Sequence, residues 1–394
     1  MDVDAIAAEV AAAVGLAEGP AGVRDVLRVI ASHEPVATRE VARRAELPVP
    51  IVAAVCNELR KRDVVDRARP VQLTAAGRAS LAATRGVSGP AVTGQCPCCE
   101  GRGVVVPDAL AALMPVLEQA AAGVPAAKLE LDQTHCTAET SLRRVLRMHQ
   151  AGALAGERII VLGDDDLLSV AVAAFAAHAG PGARPRWLTV VDCDADLLGY
   201  LAGQLEGLGL AAELVQHDLR EPLPAGLRRC FGVACTDPPY TVAGAELFLS
   251  RAVSALAPGA GGHVFFSFGA RRPDETVATQ RLLADMGLAV RSLVPGFNSY
   301  TGAGILAGTS NLYHLRTTAG SQPLITGSYT GQLYSAQARA AVTRPYRCVA
   351  CGAVHQVGPG ARWTVIADLK AAGCPECGGT VLRPLPLTAG TARP

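Results

Sequence analysis

The sequence predicts an α/β protein organised on one parallel sheet, and three observations carry that expectation. First, the apolar run Ile159-Ile160-Val161-Leu162 stops at Gly163, and helical spacing returns at Leu167, Val170 and Ala171. A short apolar run that ends in a turn reads as a strand buried on both faces. Second, strand-like runs recur with helical stretches between them: Trp187 to Val191, Glu213 to His217, Phe231 to Thr236 and His263 to Phe268, with Asn311 to Leu315 as a late strand suited to an antiparallel edge. Strands alternating with helices build parallel sheets. Third, four of these strands end in acid: Asp164 to Asp166, then Asp192 with Asp194, then Asp218, then Asp237. Ligands in such sheets sit beyond the carboxyl ends of the strands, so the acids mark a Rossmann-like ligand-binding edge.

The loop Gly163-Asp164-Asp165-Asp166 departs from a dinucleotide loop, in which glycines let backbone N–H groups face phosphate. Three carboxylates repel phosphate or carboxylate and attract a sulfonium or a protonated amine. One charge pair at ~4 Å is worth about 4 kcal/mol at an effective dielectric of ~20, enough to decide which ligand enters. The simpler alternative is an Asp N-cap with two solvated neighbours. Asp192, about 30 residues after the loop, stands where an acid accepts hydrogen bonds from ribose hydroxyls, with Asp194 and Asp218 beside it. In Asp237-Pro238-Pro239-Tyr240 the two prolines fix φ and donate nothing, so the carboxylate and free carbonyls form an acceptor set for an amine, with the tyrosine ring against it. A plain structural stop is the alternative.

Composition bounds the rest. At 394 residues, half of them hydrophobic, the chain is long enough for two or three domains, and a net charge of +1 gives no reason to expect nucleic acid as a partner. No apolar run reaches about 18 residues, and Met1 to Val10 carries acids where a leader would be basic, so the expectation is a soluble, cytoplasmic protein without a membrane partner. Twelve cysteines cluster in pairs, a pattern that favours metal over cystine.

Residues 1–90 read as a winged-helix-like domain: helices over Val23 to Ser32, Thr38 to Ala45 with Thr38 as N-cap, and Pro50 to Arg60, followed by an extended return from Val64 to Thr74. DNA binding through Arg60, Lys61 and Arg62 competes there with a dimerisation or lid role. Residues 91–156 form a linker in which Cys96 and Cys99 offer half a zinc site, or free thiols, ahead of helices at 107–128 and from Asp132 to Gly152. The Rossmann-like body occupies 157–343, its polar stretch Ser328 to Ser335 suiting a mobile flap. In 344–394, Cys348-x2-Cys351 and Cys374-x2-Cys377, 22 residues apart and each followed by glycine, spell a zinc ribbon with four thiolate ligands, and His355 as a weaker competitor.

With Gly163-Asp164-Asp165-Asp166-Leu167 on one strand end and Asp237-Pro238-Pro239-Tyr240-Thr241 on another, the sequence resembles the branched-chain polyamine synthases over about residues 20 to 340, including Asp132-Gln133, Glu139-Thr140 and Phe248-Leu249-Ser250-Arg251. The resemblance implies a sulfonium-dependent transferase sheet. It also implies decarboxylated S-adenosylmethionine as donor, methylthioadenosine as by-product and a polyamine such as spermidine as acceptor. The physical reading agrees: the three aspartates repel the carboxylate of the parent S-adenosylmethionine. An acceptor amine with a pKa near that of Lys, about 10.4, arrives charged and must lose a proton to a carboxylate. Asp164 or Asp165, assisted by Asp237, is the expected proton acceptor. Asp166 or its neighbour caps the helix or grips the donor ammonium, Pro238, Pro239 and Tyr240 hold the amine, and Gly163, Asp192, Asp194 and Asp218 hold the donor. A homodimer is expected. An N-methyltransferase shares this sheet but prefers a glycine-rich first loop. A 3-amino-3-carboxypropyl transferase needs a cation for the donor carboxylate, and a winged-helix regulator has no use for Asp237 to Tyr240.

Overall fold

The computed structural model describes residues 2–82, 96, 98–99, 101–269, 271–301, 308–334, 343–358, 360–363 and 366–385. Pro97 and Glu100 of the first cysteine knuckle, and Ser335 at the end of the polar segment, lie outside the described residues. The chain divides into two compact units: 1–127 with 134–329, and 128–133 with 330–394.

The larger unit is built on a seven-stranded sheet in the order β3-β2-β1-β4-β5-β7-β6. Its strands are β1 (Arg158–Leu162), β2 (Trp187–Asp192), β3 (Glu213–Gln216), β4 (Val233–Thr236), β5 (His263–Phe268), β6 (Leu288–Ser299) and β7 (Thr309–Thr317). The first five are parallel, and β7 and β6 are antiparallel. In β1, Ile159 to Leu162 are at most 2% exposed, because helices cover both faces of the sheet. The strand order reverses between β1 and β4, which pair Leu162 with Thr236. The acidic loop and the Asp237 turn therefore start side by side at the crevice where open α/β sheets bind ligands. The expected edge at Asn311 to Leu315 lies instead inside β7, and β6 forms the edge; its alternating exposure and the register shifts after Val290 and Val294 hide it from a periodicity reading.

Two helices position the crevice. Helix α8 (Leu168–Ala179) is apolar all round and buried from Leu168 to Ala176, the pattern of a helix enclosed by the core. Helix α7 (Ala138–Gln150) starts at Thr137, whose side chain accepts from the Thr140 N–H, and buries every residue from Thr140 to Leu146. The helix expected over 107–128 is shorter, Leu113–Gly123.

The N-terminal stretch holds α1 (Val3–Val14), α2 (Gly19–His33), α3 (Thr38–Arg44), α4 (Val49–Lys61) and α5 (Ala75–Ala82) around their own core. Helix α1 escaped the sequence reading although Val3, Ile6, Ala7, Val10 and Ala11 mark one buried face. Antiparallel bridges Val36 to Val71 and Val65 to Leu73 tie the extended return to the helices. The N-cap expected at Thr38 is corrected: Ala37 is the cap residue and no side chain bonds there. Among the described residues no single helix is long and apolar enough to cross a membrane.

The smaller unit carries a three-stranded sheet of Leu382–Pro384, Arg344–Cys348 and Val354–Val357, and the helix Ile366–Ala372.

Candidate active site

The acidic loop is held open by its backbone. Gly163 has φ +76, a left-handed conformation suited to glycine, and its N–H donates to the Val191 carbonyl at 2.9 Å. Leu167 also lies in the left-handed region at φ +55, a conformation that costs a non-glycine residue of order 1 kcal/mol and is held only by surrounding contacts. Those contacts are present. The Asp166 carbonyl accepts from Ser141 Oγ at 2.7 Å, and one Asp166 carboxylate oxygen accepts from the Cys136 N–H at 2.9 Å.

The three aspartates have three different fates. Asp164, one of the two expected proton acceptors, turns into α8: it is 1% exposed and accepts from the N–H groups of Leu168 at 2.7 Å and Ser169 at 3.2 Å. It is the helix cap that Asp165 or Asp166 was expected to supply. Burial pushes its carboxyl up to about 7. Asp165 is half-buried, and one of its oxygens accepts the Thr134 N–H at 2.9 Å. Burial and the neighbouring Asp166 and Asp237 hold its carboxyl well above the usual range. For Asp166 burial alone would raise the carboxyl, but the buried Arg144 outweighs it and holds it low.

Arg144 on α7 is the residue the sequence reading missed. Its guanidinium donates to Asp166 at 2.5 Å, to Asp237 at 2.8 Å, to Asn298 Oδ1 at 2.8 Å and to the Tyr300 hydroxyl at 3.3 Å. It therefore joins the ends of β1, β4 and β6, and Asn298 stands where the β6 register shifts a second time. Cys136, Asp166 and Asp237 offer ligand atoms within 4.8 Å of one another, but the arginine already supplies the cation there, so no metal is assigned.

Asp237 accepts from Arg144 and, at 2.5 Å, from the Tyr300 hydroxyl, which itself receives the Tyr240 hydroxyl at 2.6 Å. Burial and Asp166 push the Asp237 carboxyl up to about 7 against the pull of Arg144. Pro238 and Pro239 are buried, and the Tyr240 ring meets Phe268 edge-on at 5.6 Å. Gly163, Asp164, Asp166 and Asp237 line one small cavity with Arg144.

On the neighbouring strands, Asp192 accepts from the Asp164 N–H at 3.1 Å and the Asp194 N–H at 2.8 Å; burial raises its carboxyl, and a carboxylate retains lone pairs for a ribose. Asp194 caps α9 (Ala195–Gly207), accepting from the Asp196 and Leu197 N–H groups. Asp218 is partly exposed; burial pushes its carboxyl up, but hydrogen bonds from Arg220 outweigh that and hold it low. His135 faces the Asp165 carbonyl at 2.7 Å and the Pro125 carbonyl at 3.0 Å.

In the smaller unit, Cys348 and Cys377 Sγ are 3.6 Å apart, as are Cys351 and Cys374. Four sulfurs at about 2.3 Å from a tetrahedral zinc lie about 3.8 Å apart, so the spacing fits the ion. N–H groups of Cys351 and Ala350 pull the Cys348 thiol down to about 7, favouring the thiolate a metal needs. His355 Nε2 lies 3.1 Å from Cys374 Sγ, placed to donate to a thiolate. Cys96 is exposed, and among the described residues no third ligand joins it and Cys99.

The family model for the branched-chain polyamine synthase A C-terminal domain matches residues 113–333. The chain is 33% identical over 371 residues to an uncharacterized protein of Methanocaldococcus jannaschii, covering 92% of this chain and 88% of that one. It is 31% identical over 273 residues to the N(4)-bis(aminopropyl)spermidine synthase of Thermococcus kodakarensis, covering 67% and 74%. The crystal structure of the Thermus thermophilus branched-chain polyamine synthase, in complex with N4-aminopropylspermidine and 5'-methylthioadenosine, superposes with a TM-score of 0.66 at 26% identity, covering 84% of this chain and 97% of that one. With more than half its length inside the family model, on the same fold and with both acidic turns at the switch between β1 and β4, this chain belongs to the branched-chain polyamine synthase family.

Proposed function

We propose that the protein moves the aminopropyl group of decarboxylated S-adenosylmethionine to an amine nitrogen of a polyamine such as spermidine, giving a branched polyamine and methylthioadenosine. The observation that carries this reading is the meeting of the acidic loop with the Asp-Pro-Pro-Tyr turn across the β1–β4 switch point, tied by Arg144. Such a site attracts a sulfonium beside an ammonium and repels a donor carboxylate.

In the reaction, the acceptor nitrogen attacks the propyl carbon in line with the sulfonium. The new N–C bond forms as the C–S bond breaks, and its electron pair neutralises sulfur in the leaving methylthioadenosine. The proton of the amine goes to a carboxylate and then to water. Asp165 is our choice of acceptor, assisted by Asp237: Asp164 is committed to the helix cap and Asp166 to Arg144, whereas Asp165 is half-buried at the crevice. A cationic donor bound beside it favours its ionised form, and its raised proton affinity suits a base for an ammonium. Asp237, Pro238, Pro239 and Tyr240 orient the amine, Asp166 supports that surface through Arg144, and Gly163, Asp192 and Asp218 meet the donor, with Asp194 shaping the turn by capping α9.

We read residues 1–90 as a winged helix, 91–156 as a linker, 157–343 as the transferase body and 344–394 as a zinc ribbon holding structural zinc on Cys348, Cys351, Cys374 and Cys377. The basic end of α4 is taken up internally, with Lys61 on Glu58, and Arg62 on Glu58 and Glu9, which supports a role without nucleic acid. Analytical ultracentrifugation tests the expected homodimer, and fractionation tests the expected cytoplasmic location. Mass spectrometry of products from mixed polyamines, offered each donor separately, tests the function: an aminopropyl mass increment from the decarboxylated donor supports it, and methyl or aminocarboxypropyl increments overturn it.

A further inference from the structure

The crevice concentrates carboxylates, and one buried cation stands among them. Arg144 is 6% exposed and reaches Asp166 and Asp237 with separate nitrogens, 2.5 and 2.8 Å away, while Asn298 and Tyr300 fix its plane. The two carboxyls already meet side chain to side chain, which with burial holds Asp237 up to about 7 against the pull of Arg144; without that cation the pair would hold its shared proton more tightly still. A shared proton would occupy the oxygen that the acceptor amine needs.

We propose that Arg144 is the positioning residue for amine transfer: its guanidinium bridges Asp166 and Asp237 so that the pair releases its shared proton and presents an acceptor surface to the incoming amine, leaving Asp165 to receive the proton of the amine. The inference rests on the polyamine reading above. The groups that face this bridge come from every element around it: Asp164 and Asp165 on the acidic loop, Cys235 on β4, Tyr240 on the turn after β4, Tyr300 after β6, and Cys136 before α7, with Asp192 at the end of β2 facing Asp165. All of these are acids, so Arg144 is the cation that offsets them in this cluster. A lysine cannot replace it in full, since a point charge does not span two carboxylates as a planar fork does.

The bridge predicts a separation of charge from geometry. In Arg144→Gln the pair holds its proton more tightly, so the acidic limb of kcat/KM for spermidine moves up by about one pH unit or more, and spermidine affinity at pH 7 falls about tenfold. In Arg144→Lys the limb stays in place while kcat falls about tenfold. Removing the acid together with the cation, in Arg144→Gln/Asp166→Asn, returns the limb toward its original position. Calorimetric titration of spermidine over pH 5.5 to 8.5 gives the same limb without turnover, and circular dichroism checks that each variant is folded. Should Arg144→Gln not fold, Arg144→Lys and the double variant decide the matter.

A limb that stays put in folded Arg144→Gln, or that moves equally in Arg144→Lys, overturns the inference and leaves the polyamine reading intact. So does a double variant whose limb remains displaced. A wild-type protein that neither binds nor alkylates any polyamine overturns both.

Discussion

The crevice of the larger unit and the cysteine cluster of the smaller one both gather groups that repel one another when ionised, and they resolve the repulsion differently. At Cys348, Cys351, Cys374 and Cys377 the groups are four identical thiols with sulfurs 3.6 Å apart in pairs, a spacing that one permanent ion would satisfy completely. Around Asp165 the balance is partial. Arg144 holds Asp166 ionised, whereas Asp164 and Asp237 are pushed up to about 7 and Asp165 well above its ordinary value. A fully balanced cluster is structural. A partly balanced one retains affinity for cations that come and go, which is what a site for a sulfonium donor and an ammonium acceptor requires.

The largest effect that could break this contrast is loss of the zinc proposed for the four thiols. A structural zinc contributes on the order of 10 kcal/mol of folding free energy, so chelation should unfold residues 344–385 and leave the sheet of the larger unit intact, as followed by hydrogen exchange. Protein truncated after Thr343 should carry one zinc fewer per chain by metal analysis; unchanged metal content would remove the ribbon from the account.

Next in size is Asp165→Asn. Its kcat should fall about 10²-fold or more with donor affinity nearly unchanged. The same change should raise the melting temperature, because it removes a carboxylate that its surroundings disfavour. A variant that loses activity and stability together would mark Asp165 as a structural residue. Asp192→Asn sharpens the assignment from the other side, weakening donor binding with a smaller effect on kcat.

A third expectation concerns pH. Asp164 and Asp237 have folded values of about 7, above their ordinary carboxyl value of 3.8. Groups raised in the folded state stabilise it most below the unfolded pKa and lose that contribution as pH rises through the folded one. Both carboxyls should therefore tilt the stability of ligand-free protein downward between pH 4 and pH 7, whereas His263 and His314, whose folded values of about 4 lie below the ordinary 6.5, tilt it upward over the same window, so the carboxyl share is read in the difference between wild type and Asp237→Asn. Asp237→Asn should lessen the downward tilt, and spermidine should offset it at the upper end. An Asp237→Asn variant whose melting temperature follows pH just as the wild type does would contradict the raised value at Asp237.

The sequence showed one part of this architecture well and another poorly, for physical reasons. Strands β1, β4 and β5 are buried on both faces and announce themselves as apolar runs, and the acids sit where those runs stop. Cysteine spacing is local, so the four-thiol cluster was legible outright. Which of three consecutive aspartates caps α8 was not: that depends on the left-handed turn at Leu167, beside which Asp164 meets the N–H groups of Leu168 and Ser169. Arg144 was hidden for another reason. It sits in the run Arg143-Arg144 beside Glu139 and Arg147, which reads as a solvated helix face, and its partners lie 22, 93 and 154 residues away along the chain. The β6 edge was missed because Val290 and Leu293 are exposed and the strand breaks register twice.

The claim on which the account turns is that the acidic loop selects a donor without a carboxylate. Isothermal calorimetry with decarboxylated and parent S-adenosylmethionine, at low salt and neutral pH, measures this directly. The account predicts tighter binding of the decarboxylated compound by at least about tenfold, or 1.4 kcal/mol. Equal affinity for the two, or turnover with the parent compound alone, would contradict it.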